Sequence, residues 1–369
     1  MALFAMRQEP IGLDIGKSSI VGVQLAVKSP AVTLLNVHEK GIPDGLVFEG
    51  EILDPEGFAV ELKTFIKEAR FKGKTVRMGV GNQKVIVRTI EVPEMDEEEL
   101  RGAIEFQAQD YIPMPLEEVI LDFQVVRRQV DAEGVVRQQV VLVAAQKDMV
   151  QQYLVAARKA GLTVEGIDVS AFALIRALSS PVSFVDQGAP PEAATGFLHM
   201  TSSTSTLVVA ADGIPLFTRI VSLAYDNFIN VLVEGQSMGA DEALVLTELV
   251  GLPGPDDTVA DDYNPDTVQA VHTTLNRVAE QFVGEMRRSL DYYQSQEYSL
   301  PVTRIIFSGR GPLLRNLDHR IADTLAVPVE VGNPLLRITE NKSQMSDALV
   351  AGLSPRLAVA IGLSLDEVE

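Results

Sequence analysis

The chain opens with two apolar runs around a small polar turn. Residues 11–15 and 20–25 are rich in Ile, Val and Leu, and Gly16-Lys-Ser-Ser19 lies between them, so the pattern predicts strand, turn, strand. The period then changes. Asp54 is a good N-cap and Pro55 suits a first helical position. Phe58, Leu62, Phe65, Ile66 and Ala69 recur on one face, and Gly73 ends the pattern. Residues 76–92 return to short strands. A second helix is predicted from Asp96, where Glu99 completes a capping-box arrangement; Leu100, Ala103, Ile104, Ala108 and Tyr111 form its buried stripe, and Pro113 and Pro115 stop it. Two strand-like runs follow at 119–126 and 135–145, and Asp148 caps a third helix that closes at Gly161.

Residues 179–195 are rich in proline and small residues with no apolar period, and read as a linker. After them the opening pattern returns. Residues 197–200 form a short strand, Thr201–Thr206 an unbroken hydroxyl run, and 207–211 another strand, with Asp212-Gly213 as a hairpin turn into 214–221. One strand–turn–strand unit thus occurs near residue 14 and again near residue 199, which suggests two similar lobes facing each other. Later, 280–293 reads as a helix. Residues 305–311 read as a strand entering a glycine turn, with a helix starting near Pro312 whose first N–H groups suit a phosphate or nucleoside contact.

Composition narrows the function. A chain of 369 residues, 46% hydrophobic, is long enough for two domains or lobes. The net charge of −20 makes nucleic acid and anionic lipid poor partners. There is no cysteine, which excludes disulfides, thiolate catalysis and cysteine-ligated metals. The four histidines, His38, His199, His272 and His319, have no spacing that puts two on one helix face, so a zinc site is not expected. The apolar Met1–Met6 tip is too short to span a membrane, and no apolar run nears the roughly 18 residues a span needs, so a cytoplasmic protein is expected.

The stretch Asp14-Ile-Gly-Lys-Ser-Ser19 carries the most chemistry. Its glycine and hydroxyls can offer N–H groups to phosphate oxygens, and Asp14 can hold hydrated Mg²⁺; an ordinary hairpin with a buried aspartate fits the same residues. The run Thr201–Thr206 and the turn Ser308-Gly-Arg-Gly311 gain weight from their place in the second unit. The acidic cluster at Glu94 and 96–99 reads as helix-start carboxylates favoured by the macrodipole. The acidic stretch 251–267, with Asp256, Asp257, Asp261, Asp262 and Asp266, lacks the spacing of a calcium loop and reads as a solvated loop.

Several segments match a known family in order. They are Ile11-Gly-Leu-Asp-Ile-Gly16, Tyr111-Ile-Pro-Met-Pro-Leu-Glu-Glu-Val119, Ala160-Gly-Leu-Thr-Val-Glu-Gly-Ile-Asp-Val169, Arg287-Arg-Ser-Leu-Asp-Tyr-Tyr293 and Leu357-Ala-Val-Ala-Ile-Gly-Leu363. Together they resemble the PilM family of type IV pilus assembly proteins, within the actin-like ATPase superfamily that also holds FtsA and MreB. The resemblance implies an α/β, actin-like fold of ribonuclease H-like duplicated lobes with an inserted 1C-type subdomain. It divides the chain into a first lobe with the phosphate-1 hairpin (1–77), a partner-docking inserted subdomain (78–165), a return and linker (166–195), a second lobe of 2A and 2B type (196–340) and a C-terminal return (341–369).

It also implies a nucleotide, ATP with Mg²⁺, in the central cleft. Asp14, Gly16, Lys17, Ser18 and Ser19 would line one side, with Asp14 holding Mg²⁺ through water. His199, Thr201, Ser202, Ser203 and Thr204 would line the other, and Glu242, Arg288, Gly309, Arg310 and Gly311 would complete the site. The expected partner is the cytoplasmic tail of a PilN-like inner-membrane protein, met by Tyr111, Ile112 and Met114 and by an open strand edge at 85–92, with the protein peripheral at the inner face of the cytoplasmic membrane.

The chain departs from the family pattern in the cleft. The second phosphate motif, usually Asp-Ile-Gly, reads His199-Met200-Thr201. A lysine usual seven residues after the first aspartate is Val21, while Lys17 sits within the turn. A Gly-Gly pair reads Ala224-Tyr225, and the lysine of an Ala-Glu-x-x-Lys segment is Val245 or Thr247. A histidine at 199 is a poor magnesium ligand, can carry partial positive charge and can contact a phosphate directly. The pattern therefore points to a scaffold with weak ATP binding and little or no hydrolysis. The alternatives are an ATPase cycling between conformations and a filament former of FtsA or MreB type, the latter implying self-association. No catalytic residue is assigned.

Overall fold

The computed structural model describes residues 7–28, 31–130, 134–179, 191–236, 238–254, 263–296 and 299–365. The Met1–Met6 tip, linker residues 180–190 and the acidic residues Asp256, Asp257, Asp261 and Asp262 lie outside the described residues.

In the first lobe come β1 (Arg7–Gln8), β2 (Ile11–Ile15), β3 (Ser19–Lys28), β4 (Ala31–Gly41), β5 (Val47–Phe48), β6 (Glu51–Ile52), α1 (Pro55–Ala69) and β7 (Thr75–Val80). Asp54 caps α1 by accepting from the amides of Glu56 and Gly57. The helix ends at Arg70, which takes the left-handed conformation at φ 55°, three residues before the glycine expected to stop it. Phe58, Leu62 and Phe65 on its inner face are fully buried, each contributing about 2 kcal/mol.

A smaller unit follows: β8 (Val85–Pro93), α2 (Glu97–Tyr111), β9 (Val119–Val130) and β10 (Val136–Gln146). Its strands form a separate antiparallel sheet in the order β8-β10-β9. Leu100, Ile104 and Ala108 of α2 cover that sheet together with Ile112. The chain then rejoins the first lobe through α3 (Lys147–Ala160), β11 (Thr163–Val169) and α4 (Ser170–Leu178). Asp148 falls in the first turn of α3, whose N-cap is Gln146; Gly161 closes it at φ +79° as expected. Because β11 pairs with β7 and α3 packs on α1, the independent sheet spans 85–146, a narrower range than 78–165.

The second lobe holds β12 (Ala194–Met200), β13 (Ser205–Ala211), β14 (Ile214–Val221), α5 (Tyr225–Gln236), α6 (Ala240–Leu249), α7 (Pro265–Gln294), β15 (Val302–Gly309), α8 (Leu317–Leu325) and β16 (Val329–Val331). Asp212 and Gly213 both have positive φ, as the hairpin turn requires. Helix α7 starts fifteen residues before the expected 280, at an Asn264 cap followed by Pro265. Near Pro312 there is only a 3₁₀ turn, Gly311–Leu313, and α8 begins at Leu317. A Cβ on Gly311 would lie 2.0 Å from the ring of Phe307, so that glycine serves packing. Last come β17 (Glu340–Asn341), α9 (Asp347–Leu353) and α10 (Ala358–Ser364). β17 pairs with β4, and α10 packs on β2 and α4. Residues 347–364 have a mean hydropathy of 1.3 and are long enough to cross a membrane, but 56% of the stretch is buried, and every residue of α10 is buried in the core.

The two large sheets repeat one plan. The first runs β11-β7-β2-β3-β4 before β17, and the second runs β16-β15-β12-β13-β14. In both, the first two pairings are parallel and the last two antiparallel. Asp14 opposite Val21 and His199 opposite Thr206 therefore occupy equivalent places. The strand edge expected to be open at 85–92 lies instead beside β14: Thr89 donates to the carbonyl of Pro215 at 2.8 Å and Gln83 to Ser222 at 3.0 Å. The other edge of that sheet is β9.

Candidate functional site

The β2–β3 and β12–β13 turns meet across the cleft between the lobes. Two small adjoining voids of about 40 and 30 Å³ share Asp14, Gly16, His199 and Thr201. Ser19, Ser202, Gly309 and Arg310 line the first, Ser203 and Thr204 the second. Ten of the expected nucleotide residues are thus gathered in one place.

The others are placed differently. Lys17 reaches over to Asp226 at 2.6 Å, and Ser18 shares a 2.7 Å hydrogen bond with Ser202. Gly311 is buried under Phe307. Glu242 is exposed on α6 and lines neither void. Arg288 lies in a separate groove of about 550 Å³ beside Gln83 and Arg219, paired with Glu285 at 2.6 Å. Among the expected partner contacts, Tyr111 is 38% exposed, Met114 is half-buried, and Ile112 is 3% exposed in the core of the small unit.

The electrostatics of the two turns differ. Burial, with Glu39 nearby, pushes the Asp14 carboxyl up to about 7. Burial lowers His199 to about 4, so its imidazole is neutral at pH 7 and carries no charge toward a phosphate. Its Nδ1 is 2.9 Å from the hydroxyl of Ser308. Gly309 has φ +83°, and a Cβ there would lie 2.2 Å from the carbonyl oxygen of Met200, so the bend behind His199 needs glycine.

The backbone donors of the second lobe are largely committed. Thr201 N donates to Thr204 O, while Ser203 N and Thr204 N donate to Thr201 Oγ1 at 3.3 and 3.0 Å. In the glycine turn, Arg310 N, Leu313 N and Leu314 N donate to Met200, Arg310 and Gly311 carbonyls. Of the helix-start donors expected near Pro312, those of Leu313 and Leu314 are therefore spent within the 3₁₀ turn. In the first turn Gly16 N donates to Ser19 O.

Sequence reasoning missed Glu39, Arg356 and Asp226. Glu39 lies 3.1 Å from Arg356 and 4.0 Å from Arg310, so one carboxylate engages both arginines that line the first void. Asp226, at the start of α5, pairs with Lys17 209 positions away. Only separate runs of sequence lead to these contacts, and no local period or spacing signals them. Tyr225, at the expected glycine pair, is buried and donates to Glu248 at 3.2 Å.

The family described as type IV pilus assembly protein PilM matches residues 12–368. The chain belongs to the PilM family. A solved PilM–PilN type IV pilus biogenesis complex contains a chain 27% identical to it, with 96% of this chain and 97% of that chain covered at a TM-score of 0.81. The ethanolamine utilization protein EutJ from Carboxydothermus hydrogenoformans is 10% identical, with 98% and 90% covered at 0.53. MreB5 of Spiroplasma citri bound to ADP is 11% identical, with 96% and 94% covered at 0.52. These last two carry the fold alone. With the duplicated sheets they make this an α/β protein of actin-like fold, as the PilM resemblance implied.

Proposed function

We propose that this chain is an actin-like scaffold of type IV pilus machinery that captures the cytoplasmic tail of a PilN-like inner-membrane protein. The carrying observation is its likeness, over 96% of its length, to a chain of a PilM–PilN complex. Through such a partner the protein would sit at the inner face of the cytoplasmic membrane. The docking region is the small unit built on the β8-β10-β9 sheet and the first-lobe surface beside it, with Tyr111 and the 84% exposed Phe106 as apolar contacts. Ile112 supports that surface from inside. A net charge of −20 favours a peptide with basic residues.

ATP in the cleft would bind weakly. The second turn spends the amides of residues 201, 203 and 204 internally, and neutral His199 supplies no carboxylate for Mg²⁺. Asp14, raised to about 7, would hold Mg²⁺ only through water and only beside bound phosphates, whose charge the metal would neutralise. Hydrolysis would be slow or absent.

The test is a titration of a PilN-like N-terminal cytoplasmic peptide, with and without Mg–ATP. Binding without nucleotide, weakened about tenfold or more by Tyr111→Ala with Phe106→Ser, is the expected result. Binding that requires Mg–ATP together with robust phosphate release would favour the ATP-driven cycle instead.

A further inference from the structure

Where two phosphate-binding turns would face a ligand, this chain bonds them to each other. Lys17 Nζ meets Asp226 Oδ2 at 2.6 Å, and Ser18 Oγ meets Ser202 Oγ at 2.7 Å. Both contacts join the first lobe directly to the second, between the two turns. Asp226 is held in place for this role, since its own amide donates to Ser202 O and the amide of Tyr225 to Thr201 O, fixing the start of α5 against the second turn. The side chains of Lys17 and Asp226 are 30% and 28% exposed, partly withdrawn from water. The cations deeper in the cleft are already engaged, Arg310 and Arg356 both facing Glu39. Lys17 is thus the cation of the first turn left to meet a polyphosphate, and Asp226 holds it.

We propose that Lys17 and Asp226 form an autoinhibitory latch, which closes the cleft without nucleotide and which an incoming polyphosphate must displace. This rests on the reading of the cleft as a nucleotide site. The physical reason is substitution of one anion for another. The Asp226 carboxylate stands against Lys17 as a phosphate group would, supplied by the second lobe. A nucleotide must break that pair and then lie next to the displaced carboxylate, which repels it. An autologous anion at a fixed distance is also always present, so closure does not depend on ligand concentration.

The absence of cysteine allows a clean test. Cysteines introduced at exposed Lys63 on α1 and Asp241 on α6 carry spin labels on the two lobes, and the inter-label distance is measured in the full chain without nucleotide. In the parent protein a single short distance is expected, with longer distances appearing in Asp226→Asn and in Lys17→Gln. In parallel, Mg–ATP is titrated calorimetrically into the same proteins. Asp226→Asn, which frees Lys17 and removes the repelling charge, should bind about tenfold tighter than the parent; Lys17→Gln should show no such gain. Distances unchanged in both variants overturn the latch. So does Asp226→Asn binding Mg–ATP no tighter than a parent that binds it. Lengthened distances with no Mg–ATP bound by any of the three uphold the latch and remove the nucleotide reading of the cleft, while the peptide titration reports separately on the scaffold.

Discussion

At the first turn, Gly16 donates its amide to Ser19, and no other described residue accepts from the amides of Lys17 and Ser18. At the second, the amides of residues 201, 203 and 204 are all taken up by Thr201 and Thr204. The strands behind the two turns pair in the same pattern, yet one ends in a carboxyl raised toward neutrality and the other in a neutral imidazole. The two halves of the cleft thus share one strand plan, while the second turns three of its amides inward.

The glycine of the first turn and the glycine of the bend behind His199 separate the two lobes most strongly. Gly309→Ala should cost about 3 kcal/mol or more, because φ is +83° and the new methyl would press on Met200 O at 2.2 Å. Gly16→Ala meets nothing closer than Ser19 O at 3.4 Å and should change stability by less than about 1 kcal/mol. Urea denaturation of both variants checks this. Equal losses would mean that both lobes depend on glycine alike beside the cleft and would break the contrast.

The buried titratable groups sharpen it next. Asp14 rises from 3.8 to about 7 on folding, so the native chain keeps a proton the unfolded chain loses. Its contribution is most favourable at low pH and declines as pH climbs from about 4 to about 7. His199 falls from 6.5 to about 4, so the unfolded chain takes a proton the native chain refuses. Its contribution is complete above 6.5 and is lost as pH drops toward 4. The two slopes oppose each other. Relative to the parent, Asp14→Asn should gain stability with rising pH and His199→Gln should lose it, each by at most about 1.4 kcal/mol per pH unit, less for Asp14 where cleft water relieves the burial. Denaturation at pH 4.5, 5.5 and 6.5 reads both; slopes of one sign would refute the assignment.

What was legible in the sequence was local. The Asp54 cap, the Asp212-Gly213 hairpin and the repeated strand–turn–strand unit are each set within about a dozen residues, and each formed. The start of α7 at Asn264 was hidden beside an acidic stretch that resembles a loop. The helix expected at Pro312 is missing because Phe307 packs on Gly311 and the chain must tighten to 3₁₀ there. The edge at 85–92 alternates as an edge strand should, but nothing in its own residues announces that β14 lies alongside. The Lys17–Asp226 and Glu39–Arg356 pairs belong to the tertiary fold, and only the sheet plan brings them together.

The smallest effect concerns the bonds that close the second turn. Thr201 Oγ1 accepts from the amides of Ser203 and Thr204 and lies 3.0 Å from the carbonyl of Thr204, its donor contact. Thr201→Ala removes these bonds while leaving the backbone bond from Thr201 N to Thr204 O. Residue 201 is half-buried and borders the cleft, so water can replace part of what is lost. The cost should be about 1–2 kcal/mol, the scale of one or two net hydrogen bonds. Ser18→Ala, which removes only the single bond to Ser202, should cost less. Thermal melts distinguish the outcomes. A Thr201→Ala protein as stable as the parent would mean that the hydroxyl contributes little to closing the turn, and that the two turns differ less than their hydrogen bonds suggest. A loss on the expected scale would give the second turn an internal support that the first lacks.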